Sequence, residues 1–134
     1  MTLRCLLVDD NRHFLAAARA LLEREGLVVV GTVSTAADAR RWAEQLRPDV
    51  ALVDIGLGAE SGFDVARDLA ERARATPVIL FSTHDGDDYA DLIDASPAIG
   101  FVPKAALSAR TIRDLLTGED PGASAGRVNG SPKR

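Results

Sequence analysis

Short apolar runs alternate with helix-period segments along most of the chain. Residues 3–8 (Leu-Arg-Cys-Leu-Leu-Val) read as a strand. Residues 12–25 follow, with Phe14, Ala18, Leu21 and Leu22 on one helical face and Gly26 as the stop. The β-branched run 27–33 is a second strand. Thr35 is placed to cap a helix to about Arg47, with Ala36, Ala39, Ala43 and Leu46 inward, before Pro48 and Asp49. Residues 50–54 (Val-Ala-Leu-Val-Asp) form a third strand, and a Gly-rich loop runs from Gly56 to Gly62. A helix over about 63–74 turns Val65, Ala66, Leu69 and Ala73 inward. Pro77 opens a fourth strand, 78–81. A weaker helix over about 86–95 carries Tyr89, Leu92 and Ile93, residues 99–102 are a fifth strand, and a last helix over about 108–117 turns Ile112, Leu115 and Leu116 inward.

Four of the five strands are near-continuous apolar runs rather than alternating ones. A strand buried on both faces has that pattern, as parallel sheets covered by helices require. With right-handed crossovers, the prediction is a doubly wound α/β fold: a five-stranded parallel sheet with five helices. Ligands of such folds gather at the carboxyl ends of the strands. Those ends carry Asp9-Asp10, Asp54, Ser82-Thr83 and, after the fifth strand, Pro103-Lys104.

Composition narrows the setting. Of 134 residues, 46% are hydrophobic and 27% charged, as in an ordinary globular domain. The single cysteine, Cys5, excludes a disulfide framework and a cysteine metal cluster, and reads as core. A net charge of -4 argues against direct nucleic-acid binding. No apolar run reaches membrane-span length and no signal peptide opens the chain, so the expected setting is the cytoplasm. Residues 118–134 hold four of the eleven glycines and two of the six prolines, with Val128 the one sizeable apolar side chain. The expected division is therefore a domain over 1–117 and a disordered tail over 118–134.

Gathered at one sheet edge, the acids would repel. Two carboxylates about 5 Å apart cost roughly 3 kcal/mol at an effective dielectric of about 20. A divalent cation relieves that, and an all-oxygen set suits Mg²⁺. A carboxylate beside Mg²⁺ and a lysine is also an arrangement suited to phosphoryl transfer, with aspartate as covalent acceptor.

On these residues the chain resembles the receiver domains of two-component response regulators, a CheY-like superfamily with the flavodoxin-like fold. The match covers residues 3–117: Val8-Asp9-Asp10-Asn11, Leu52-Val53-Asp54-Ile55, Phe81-Ser82 and Gly100-Phe101-Val102-Pro103-Lys104. Asp54 lies 45 residues after Asp9, Ser82 follows 28 later and Lys104 another 22 later. The resemblance implies that Asp54 is the phosphoacceptor. It implies that Asp9, Asp10, Asp54 and the Gly56 backbone carbonyl hold Mg²⁺. Ser82 would be the switch hydroxyl, Lys104 the partner of the phosphoryl group and Phe101 the aromatic switch ring. It further implies a histidine kinase or phosphotransfer protein as donor, docking near the first helix. Output would leave through the fourth helix, fifth strand and fifth helix. The chain would be a monomer or a weak phosphorylation-dependent dimer, and not an enzyme beyond its own phosphoryl transfer and dephosphorylation.

Three positions depart from the family pattern. Gly58 stands where proline is usual and should loosen the 56–62 loop, Thr83 stands where a very small residue is usual, and Ala105 follows Lys104 in place of proline. The acids Asp87, Asp88, Asp91 and Asp94 read as a solvated face and Trp42 as surface packing; His13 and His84 flank the presumed site but are too few to bind a metal, and contact of His84 with the water that hydrolyses an acyl phosphate is the lesser of its readings. A stand-alone receiver is expected, because the tail carries no helix-turn-helix. The alternatives are a truncated receiver of a DNA-binding regulator and a degenerate receiver that binds proteins without phosphorylation.

Overall fold

A computed structural model describes residues 2–72, 76–83 and 89–118. In chain order the elements are β1 (Arg4–Val8), α1 (Arg12–Arg24), β2 (Val28–Val33), α2 (Ala36–Leu46), β3 (Val50–Asp54), β4 (Gly56–Leu57), β5 (Glu60–Ser61), α3 (Gly62–Arg72), β6 (Val78–Ser82), α4 (Ala90–Ala95), β7 (Gly100–Pro103) and α5 (Ala109–Thr117). A 3-10 turn over Lys104–Ala106 joins β7 to α5. Five strands form one parallel sheet, as the apolar runs predict, and their order across it is β2-β1-β3-β6-β7. Among the described residues no helix is long and apolar enough to cross a membrane.

The sheet is buried on both faces, which is why its strands are apolar throughout. Cys5, Leu7, Val50, Leu52, Ile79 and Phe81 point to the face covered by α1 and α5, with Leu15, Ala18, Leu22 and Ile112. Their chain neighbours Leu6, Val8, Ala51, Val53, Val78 and Leu80 point the other way, against Ala39 and Ala43 of α2 and Val65, Ala66 and Leu69 of α3. Each fully buried aliphatic side chain contributes roughly 1.5–3 kcal/mol. Cys5 is core as expected, its thiol pushed up to about 12 by burial and the nearby Asp49 charge. Trp42 packs over Gly31 of β2, where a Cβ would collide with the indole.

Capping follows the sequence at Thr35, whose Oγ1 accepts from Asp38 N, and at Ser108, which accepts from Thr111 N. Two further caps come from far along the chain. Glu60 Oε1 accepts from Ala36 N, and Glu25 Oε1 accepts from Ala109 N at 2.7 Å.

Phe14 of α1 and Ala36 of α2 are half-buried and pack against the core as expected. Three expectations are corrected. Leu21 of α1 and Leu46 of α2 are only half-buried, and Leu15 joins Ala18 and Leu22 as a buried residue of α1. Leu92 is 55% exposed, because α4 is a short helix that presents Ile93 rather than Leu92 to the core. The 56–62 stretch is a hairpin rather than a loose loop, with Gly56 paired to Ser61 and Leu57 to Glu60. Gly58 sits in its turn at φ +63, a conformation that proline cannot adopt. Ala73, His84, Asp87, Asp88, the start of the 86–95 helix and the tail beyond Gly118 lie outside the described residues.

Candidate functional site

Register builds the site. Val8 pairs with Val53, so Asp9 follows one strand beside Asp54 on the next. Asp54 pairs with Phe81, Phe81 with Val102 and Ser82 with Pro103. Side chains alternate along a strand. Asp9, Asp54 and Phe81 therefore continue the α1/α5 face, and Lys104 joins them two residues past Val102. Ser82 continues the opposite face, on which Phe101 packs half-buried against the second core cluster.

Asp9, Asp10 and Asp54 each offer a carboxylate oxygen within 4.8 Å of the others. Asp9 is fully buried, Asp54 nearly so, and Asp10 is exposed. Asp9 Oδ1 accepts from Asn11 N at 2.9 Å. Asp9 Oδ2 is fully buried and pairs with the Lys104 ammonium at 2.7 Å, with no other hydrogen-bond partner among the described residues. Lys104 Nζ also donates to Asp54 Oδ2 at 3.4 Å, and its side chain is only 10% exposed. Asp54 Oδ1 accepts from Gly56 N at 3.3 Å.

The charges do not cancel. Burial, and next the Asp9 charge, push the Asp54 carboxyl up to about 6, against the downward pull of Lys104 and of the Gly56 N–H. Three carboxylates around one ammonium leave the cluster short of positive charge. Three carboxylates sharing one ammonium, in an all-oxygen cluster, fit a hard divalent cation. A Cβ at Gly58 would stand 3.2 Å from Asp10 Oδ2, close enough that this carboxylate would have to give slightly.

The sequence-predicted residues Asp9, Asp10, Asp54 and Lys104 thus come together. Ser82 is buried at the next position beyond the Asp54–Phe81 pair, and Thr83 beside it is exposed. Two contributors were not predicted. Asn11 caps α1 by accepting from Phe14 N at 3.0 Å, a role its position just before the helix could have signalled. Phe14 lies with its ring 4.3 Å from Lys104 Nζ, a contact between residues 14 and 104 that no local pattern announces.

A family profile for the response regulator receiver domain matches residues 5–116. The chain is 37% identical over 108 residues to a protein-glutamate methylesterase/protein-glutamine glutaminase of Alkalilimnicola ehrlichii, covering 78% of this chain and 27% of that protein. It is 28% identical over 118 residues to the response regulator UvrY of Escherichia coli, covering 85% and 54%. It superposes on the signal receiver domain of the putative response regulator NarL from Mycobacterium tuberculosis with a TM-score of 0.78, at 26% identity, covering 87% and 98% of the two chains. The chain spans about half or less of the length of the first curated relatives it matches.

Proposed function

The chain belongs to the response regulator receiver family, whose general function is phosphorylation-based two-component signalling, and from that premise we propose that Asp54 is its phosphoacceptor. Receiver domains bind Mg²⁺ in general and take their phosphoryl group from donors such as histidine kinases. The observation that carries the reading is the cluster itself: three carboxylates within 4.8 Å of one another and one ammonium between Asp9 and Asp54.

In this reading an Asp54 carboxylate oxygen attacks the phosphorus of the donor. The bond from phosphorus to the leaving group breaks, and its electron pair departs with that group. The product is an acyl phosphate on Asp54. Lys104 pairs with the phosphoryl oxygens, which carry about -1.5 to -2 charge. Asp9, Asp10, Asp54 and the Gly56 carbonyl are the groups that would hold Mg²⁺, which when bound supplies charge neutralisation at the transferred group. Ser82 donates its hydroxyl to a phosphoryl oxygen. Phe101, on the same sheet face, turns into the space that the hydroxyl leaves, so a local charge change biases a two-state element. The donor docks near α1. Output leaves through the face of α4, β7 and α5, where Leu92 and Ile99 stand 55% and 42% exposed. The chain turns over no external metabolite and works in the cytoplasm as a monomer or weak phosphorylation-dependent dimer.

The test is incubation with Mg²⁺ and acetyl phosphate, followed by intact-mass measurement. One added phosphoryl group, abolished by EDTA, is expected. No gain from acetyl phosphate, together with no spectral response to beryllofluoride, would instead favour a phosphorylation-independent binding module.

Thr83 narrows the approach to Asp54 in this reading. Thr83→Ala should take up phosphoryl groups from acetyl phosphate about threefold faster, a barrier change below about 1 kcal/mol. Equal labelling rates in the two proteins would dispose of the idea.

A further inference from the structure

We infer that Phe14 is a positioning residue: its ring, braced edge-on by Phe81, seats the Lys104 ammonium against the acidic cluster and thereby sets the rate of phosphoryl uptake at Asp54. The rate part rests on the reading of Asp54 above; the seat itself does not.

A lysine head on a four-carbon stem loses rotamer freedom on being fixed, so something must hold it. Lys104 stands on a 3-10 turn at the sheet edge, where a lysine is ordinarily solvated, yet its side chain is only 10% exposed. The ammonium lies 4.3 Å from the Phe14 ring centroid and 5.5 Å from that of Phe81. Both distances are within the range in which a ring face attracts a cation. The two rings meet edge-to-face, with centroids 5.2 Å apart at 76°. The carboxylates alone do not define where the head sits. They draw it unequally, to 2.7 Å from Asp9 Oδ2 and 3.4 Å from Asp54 Oδ2. The ring supplies a further direction of hold and keeps the ammonium within reach of Asp54.

The ring is itself tied to the acids. Asn11 N donates to Asp9 Oδ1, and Asn11 Oδ1 accepts from Phe14 N. Asp9, Asn11, Phe14 and Lys104 therefore form a closed circuit of contacts. The first turn of α1 is registered to the acid pair, and the ammonium to that turn.

The chain holds only two lysines, Lys104 and Lys133, so lysine labelled with ¹³C at the ε carbon gives two signals. In the metal-free wild type, the ring current of Phe14 should move the Lys104 ε-methylene protons upfield of those of Lys133. Phe14→Leu should collapse that displacement and Phe14→Tyr should keep it. With Mg²⁺ and acetyl phosphate, Phe14→Leu should slow uptake about fivefold, the size expected of one partly desolvated cation–π contact. Phe14→Tyr should restore most of that rate. In a Lys104→Met background, Phe14→Leu should cause no further slowing. Coincident lysine signals in the wild type overturn the seat. Equal slowing by Phe14→Leu with and without Lys104 overturns the positioning role and makes Phe14 simple packing. A wild type that takes up no phosphoryl group would sink the reading of Asp54 and leave the lysine spectrum to decide the seat.

Discussion

Asp54→Asn should abolish Mg²⁺-dependent phosphoryl uptake and, at pH 8 without metal, yield a protein more stable than the wild type. The first effect follows because an amide supplies no anionic oxygen to attack phosphorus. The second follows from the cost of keeping Asp54 ionised where it is. Its carboxyl rises from 3.8 unfolded to about 6 folded, through burial and then the Asp9 charge. A raised carboxyl favours the folded state fully below the unfolded value, and that contribution is lost as pH rises through about 6. At pH 8 the ionised carboxylate therefore burdens the fold, by about 1–2 kcal/mol once its coupling to Asp9 is discounted. The asparagine carries no such burden, and its oxygen can still accept from Gly56 N. Lys104 keeps its counter-charge in Asp9, 2.7 Å away.

Intact mass after acetyl phosphate reads the uptake, and urea denaturation measures the stability. The variant's advantage should shrink as pH falls from 8 and vanish near pH 4. Millimolar Mg²⁺ should stabilise the wild type and leave the variant nearly unmoved, since a ligand stabilises the state that binds it. An asparagine variant less stable at pH 8, or equal stabilisation of both proteins by Mg²⁺, would refute the electrostatic account of the cluster.

The parts of this molecule legible in its sequence are those governed by short-range rules. Residues 50–54 announce a strand buried on both faces because each is apolar up to the terminal Asp54, and the structure buries all five. Parallel strands align their ends, so Asp9, Asp54 and Lys104 could be gathered on paper from strand ends alone. Leu92 failed because α4 spans six residues, too few for an apolar period to choose between adjacent faces. The hairpin failed because two-residue strands carry no periodicity. Glu60 capping α2 and Glu25 capping α5 bridge 24 and 84 residues, and propensity says nothing at those separations. The seat of Lys104 on Phe14 belongs to this last class. Local rules named the charged groups, and tertiary packing decided what holds them still.

The largest loss of stability should come from adding one methyl group. Gly62 opens α3, and its N–H donates to Ile55 O at 2.7 Å across the base of the hairpin. A Cβ there would overlap the Asp54 carbonyl oxygen and stand 2.8 Å from both the Asp54 carbonyl carbon and Ile55 Cα. All three are backbone atoms, so no rotamer relieves the clash. Either α3 backs off, loosening the buried Val65, Ala66 and Leu69, or the end of β3 shifts and carries Asp54 with it. Helix propensity alone predicts that alanine for glycine stabilises, by up to about 1 kcal/mol. The clash reverses the sign, and Gly62→Ala should cost about 3 kcal/mol, at the upper end of overpacking effects. Gly56→Ala is the control, six residues earlier in the same segment, where a Cβ meets nothing within 4 Å. It should change stability by less than about 0.5 kcal/mol, as an open surface substitution does. Urea midpoints for the two variants decide the matter, and equal midpoints would refute the close approach of α3 to β3. If that approach is what fixes the carboxylate, Gly62→Ala should also slow phosphoryl uptake under conditions where it remains folded, while Gly56→Ala keeps its backbone carbonyl and its rate.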